Sequence, residues 1–153
     1  MATGPWLSPE EERSWRALQF MQMRLTAALA RQLAADSVLS YQDYLVLVAL
    51  TDRADARMRL FELGLQLGWE QSRLSHQVAR MSDRGLVAKE PCASDRRGTF
   101  VVLTEDGRAA IEHAAPGHAD TVRRLFVDLL TPEQLAAVGA AAETVLAALG
   151  AVG

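Results

Sequence analysis

Two short amphipathic segments hinged on glycine, followed at once by two β-rich runs, limit this chain to very few folds. They lie in "RLFELGLQLGWEQSRLSHQVARMSDRGLV", residues 59–87. Leu60, Leu63 and Leu67 recur at helical spacing and predict a short helix ending near Gly68. Leu74, Val78 and Met81 predict a second, from about Glu70 to Arg84, with Gly85 as its C-terminal stop. Two short helices around a tight glycine turn form a helix-turn-helix. "LVAKEPC" and "TFVVLT", on either side of the polar "ASDRRG", then predict a β-hairpin. Proline has no amide to donate, so Pro91 confines its strand to a sheet edge or a bulge. Helix, helix, hairpin in that order is a winged helix-turn-helix.

The flanks are helical. Ser8 caps, Pro9 suits the first helical position and Glu11 completes a capping box. Leu18, Met21, Leu25, Leu29 and Leu33 then predict a long amphipathic helix to about Ala35. Ser40 caps a second, strongly apolar helix in "SYQDYLVLVALTD". Thr104 caps a helix interrupted at Pro116-Gly117 and resumed after a kink. Thr131, Pro132 and Gln134 repeat the first capping arrangement and open a last helix to about Leu149. That helix is too poor in charge to stand in water, which calls for cover, such as a second subunit. The expected class is mostly α with a small β-hairpin.

The chain has 153 residues, one domain's worth, and half of them are hydrophobic, which excludes a disordered chain. A single cysteine, Cys92, excludes an internal disulfide framework. No apolar run approaches a membrane span and no secretory signal opens the chain, so a cytoplasmic protein is expected. The formal net charge of −3 does not by itself point to nucleic acid. Its distribution is more informative: residues 70–99 hold six cations against four acids.

At about 100° per residue, Leu74, Val78 and Met81 share one side of the second short helix. Ser72, His76, Ala79, Arg80 and Asp83 lie opposite, flanked by Arg73 and Ser75. Small, polar and cationic groups on one face suit a major groove, though for the helix alone a solvated surface fits equally well. The hairpin decides between them. Asp95, Arg97 and Gly98, followed by "VVLT" at 101–104, resemble the wing of the MarR (multiple antibiotic resistance regulator) family. Ser72, Arg80, Gly85, Leu86 and Val87 match positions around that family's recognition helix, and the likeness extends over nearly the whole chain. His76 departs from the basic residue often found at its position, so base preference does not carry over.

The resemblance implies a dimeric winged-helix transcription factor that binds double-stranded DNA at a palindromic operator, in this family more often as a repressor. A small, often aromatic, ligand would release it. Residues 1–35 and 104–153 would dimerise and residues 36–103 would read DNA. The implied contacts are Ser72, Arg73, Ser75, His76 and Arg80 on the helix, Arg84 and Lys89 beyond it, and Asp95, Arg96 and Arg97 on the wing. Arg97 would enter a narrow minor groove, Arg96 would meet a phosphate, and Asp95 would orient an arginine. No cofactor is expected.

Other readings rest on single features. Cys92 or the pair His113 and His118 would make a redox- or metal-switched regulator, although the histidines' i, i+5 spacing does not place them on one helix face. A winged helix can also bind protein instead of DNA. Trp6, Trp15 and Trp69 suit core or interface positions. No phosphate-binding loop and no nucleophile–base–acid set is evident, so an enzyme is not expected.

Overall fold

The computed structural model describes residues 6–150, and for Asp95, Arg96 and Arg97 it describes the backbone only. Helix α1 (Pro9–Asp36) opens on the expected capping box, with Ser8 N–H donating to Glu11 and Glu11 N–H donating back to the Ser8 hydroxyl. Helix α2 (Tyr41–Thr51) opens on a second box, built from Ser40 and Asp43. A short strand β1 (Arg57–Arg59) precedes helices α3 (Leu60–Leu67) and α4 (Gln71–Asp83). Strands β2 (Val87–Cys92) and β3 (Asp95–Leu103) form the hairpin. Helix α5 (Glu105–Leu125), a single 3-10 turn (Val127–Leu129) and α6 (Pro132–Gly150) follow.

The chain separates into two compact units, one up to His118 and one from Ala119 onward. In the first, α2, α3 and α4 pack with the sheet around Val46, Leu47, Leu50, Met58, Leu63, Leu74, Val78, Met81 and Val101. Leu33 of α1 and Ile111 and Ala114 of α5 join the same core. The turn between α3 and α4 is made by Gly68 at φ 65°, a left-handed conformation in which a side chain is strained. Its N–H returns to the Gly64 carbonyl, as does that of Trp69, closing α3.

The sheet is antiparallel in the order β1-β3-β2, so β2 is an edge strand. The register passes from Pro91↔Thr99 to Cys92↔Asp95, leaving residues 96–98 of β3 without a β2 partner. Pro91 therefore lies both at an edge and beside a bulge, as its missing amide requires. The turn itself is only Ala93–Ser94, shorter than the six-residue loop the polar composition predicts. The bulge absorbs the surplus residues on the β3 side, so the ladder reaches Asp95. Thr104 joins wing to helix: its hydroxyl lies 2.6 Å from the Gly85 carbonyl oxygen and 2.9 Å from that of Leu86, and accepts from Gly107 N–H.

Two further expectations are revised. Helix α5 runs without a break through Pro116-Gly117, where an interruption is predicted. The three-residue β1 has no counterpart in the sequence pattern. In the second unit, Thr131 and Gln134 form the reciprocal cap that opens α6, and Arg123 lies 3.5 Å from Asp128. Val138, Val145, Leu146 and Leu149 along α6 are exposed. In the first unit, Trp15, Leu18, Phe20, Met21 and Met23 of α1 are exposed as well. Among the described residues no single helix is long and apolar enough to cross a membrane.

Candidate nucleic-acid interface

Helix α4 is divided as its sequence predicts. Leu74, Val78 and Met81 are fully buried, while Ser72, Arg73, Ser75, His76 and Arg80 are exposed together on the other side. The burial of one face fixes the helix rotation, and the turn at Gly68 fixes its start. Arg73 lies over the Trp69 ring at 4.7 Å, which holds the guanidinium near the N-terminal end of α4 by a cation–π contact.

Arg80 and Arg84 are held differently. Arg80 Nη2 donates to Gln77 Oε1 at 2.8 Å. Arg84 turns inward: Nη1 donates to Asp43 Oδ2 and Nη2 to the Val38 carbonyl, both at 2.6 Å. The far end of α4 is thereby tied to the start of α2, and Arg84 acquires a bracing role that its position in the sequence does not reveal. Gln77 Nε2 also donates to Asp43, at Oδ1 and 2.6 Å. Between the start of α2 and α4 lies a concavity of about 460 Å³, lined by Ser40, Gln42, Asp43, Arg73, Gln77, Arg80 and Arg84. Three arginines against one carboxylate make it cationic.

On the wing, Lys89 is exposed on β2 opposite Val101. The side chains of Asp95, Arg96 and Arg97 lie outside the described residues, so the expected contacts there rest on the sequence. The strand below them is braced. Arg57 and Arg59 of β1 stand over the Phe100 ring at 4.1 Å and 5.6 Å. Arg57 also pairs with Glu90 at 3.4 Å, and Arg59 Nη2 reaches the Ser94 hydroxyl at 3.4 Å. Cys92 is buried, with its sulfur 3.2 Å from the same hydroxyl.

Four contributors escape the sequence reading: Asp43, Gln77, Arg57 and Arg59. Two left signals. Asp43 stands three residues after Ser40, the spacing of a capping box, and Gln77 borders the apolar arc of α4. The β1 arginines left none. Of the histidines, His113 is exposed, while His118 stacks on Tyr44 with ring centroids 4.3 Å apart. Among the described residues no three His, Cys, Asp or Glu side chains converge as a metal site. A further cavity of about 310 Å³ is lined by Tyr44, Val48, Thr51, Arg108, Ile111, Glu112 and Ala115.

Comparison with known proteins gives consistent matches. A family model described as "MarR family" matches residues 39–98. AbsC, a MarR family transcriptional regulator from Streptomyces coelicolor, is 38% identical with a TM-score of 0.88, over 97% of this chain and 99% of its own. Sco3205, a MarR family regulator of the same organism solved in complex with DNA, is 38% identical with a TM-score of 0.87, over 94% and 90%. The Escherichia coli transcriptional regulator HosA is 32% identical over 97 residues, 63% of this chain and 69% of its own.

Proposed function

Since the chain belongs to the MarR family of transcriptional regulators, we propose that it binds a palindromic DNA operator as a homodimer and represses transcription until a small ligand releases it. The observation that carries this reading is the α4 face, where Ser72, Arg73, Ser75, His76 and Arg80 are exposed together over a fully buried Leu74, Val78 and Met81. Such a face presents donors to base edges and phosphates while the core keeps the helix from rotating. The wing carries Arg97 toward the flanking minor groove and Arg96 toward a phosphate, with Asp95 orienting an arginine, and Lys89 adds charge lower on the hairpin. Sco3205, similar along nearly its whole length, was solved with DNA.

Residues 1–35 and 104–153 form the dimer and residues 36–103 read the DNA. The exposed apolar side chains of α1 and α6 support the pairing, because large apolar patches mark interaction sites. In a two-fold dimer the recognition helices enter successive major grooves about 34 Å apart. The cavity beside Tyr44 and Arg108, about 310 Å³, has the size of a small-molecule site. Its lining pairs Tyr44, Val48 and Ile111 with Arg108 and Glu112, which suits a small aromatic molecule. A ligand there acts if it binds better to a spacing that no longer fits the operator.

A salt titration tests the reading. On a short duplex selected by the protein from a randomised pool, log K should fall steeply with log[salt], and Arg97→Ala should make the slope shallower by up to roughly one unit. Binding that ignores salt, or selection that retains no duplex, would remove DNA as the partner and leave a protein-binding winged helix.

A further inference from the structure

Two polar side chains lie buried where α4 meets α2, in the lining of the cationic concavity. Asp43 is 1% exposed and Gln77 is 6% exposed. A buried polar group is unfavourable unless its bonds are made, so their partners bear on why they are there. Asp43 Oδ2 accepts from Ser40 N–H at 2.9 Å and from Arg84 Nη1 at 2.6 Å. Its Oδ1 accepts from Gln77 Nε2 at 2.6 Å. Gln77 Oε1 in turn accepts from Arg80 Nη2 at 2.8 Å.

Each link in this chain has one possible direction. A carboxylate accepts only and a guanidinium donates only, so the amide between them has a single orientation that satisfies both. Its NH2 end faces Asp43 and its carbonyl faces Arg80. We propose that Asp43 and Gln77 are positioning residues for DNA recognition: the buried carboxylate orients the Gln77 amide, and the amide holds Arg80 at the outer face of α4. The proposal rests on the reading of α4 as the recognition helix.

The same carboxylate sorts two arginines by charge. Arg84 meets it directly, so its charge is paired with the buried carboxylate and it braces α4 against α2. Arg80 is held at one remove by a neutral amide, which fixes a flexible side chain without cancelling its charge. The full cation remains for a base edge or phosphate, and part of its ordering is complete before DNA arrives.

Gln77→Met keeps the shape and removes the relay, and a double-mutant cycle with Arg80→Ala isolates it. On the selected duplex, Gln77→Met should weaken binding roughly tenfold when Arg80 is present and less than about twofold when Arg80 is already alanine. Equal losses in both backgrounds, or no loss in either, overturn the proposal. A second measurement needs neither variant nor DNA. In the free wild-type protein the Arg80 guanidinium should give separate, slowly exchanging Nη resonances by NMR, whereas a single averaged signal overturns the relay. If the wild type retained no duplex, the functional reading would fall, and the Arg80 spectrum would still decide the relay.

Discussion

His118 stacks on Tyr44, and its Nδ1 is buried with no hydrogen-bond partner among the described residues. Burial pushes the imidazole below its ordinary value of 6.5 and the Tyr44 phenol above its ordinary 10.0. Folding thus favours the neutral imidazole. As pH falls through 6.5 the unfolded chain takes up its proton first, so this contribution to stability is present above that value and lost between the unfolded and the lower folded pKa. His118→Phe keeps an aromatic ring on Tyr44 and removes the titration. The melting temperature of the wild type should therefore fall more steeply than that of the variant from about pH 7 to pH 5. Parallel curves in that range would show that His118 is not the group responsible. The burial of this histidine was hidden in the sequence, because neighbours on one helix do not reveal which of them a second helix will cover.

At the scale of elements, α5 and the wing meet so closely that only glycine fits at 107. A Cβ there would collide with the Leu86 carbonyl oxygen and stand 3.0 Å from Leu103 Cδ1. Alanine is the better helix former by about 1 kcal/mol, yet overpacking against fixed backbone costs about 1–3 kcal/mol. Gly107→Ala should therefore lower unfolding free energy in urea. Gly139→Ala, in α6 with nothing within 4 Å of the added carbon, should leave it unchanged or slightly raised. The reverse order would mean that the close approach is not rigid. Helices and caps were legible beforehand because their information is local: Ser8 with Glu11, Thr131 with Gln134, glycine at 68 and 85. Strand β1 was not, since three residues carry no period and the strand exists only because β3 offers it an edge. The exposed α4 face was legible from its apolar arc. The roles of Arg84 and Gln77 were not, because their partner Asp43 lies 41 and 34 residues away.

For the whole molecule, the exposed apolar side chains of α1 and α6 set the terms of stability. Phe20 is 61% exposed and Leu146 65%, more apolar surface than an isolated chain keeps in water without consequence. If a second copy covers them, folding and association are linked and stability depends on protein concentration. Deleting residues 132–153 should then yield aggregated or unfolded protein, read by sedimentation and circular dichroism. A folded, monomeric truncation would contradict that linkage. Assembly through those helices would still leave the sheet with a bare margin at β2, where Lys89, Glu90 and Pro91 are exposed. Unpaired strand margins invite copies to add side by side without limit. Pro91 offers no amide to such an addition, and Lys89 on the same strand is a charge that a second strand would have to cover. The margin of the hairpin is thus a poor template for a further strand.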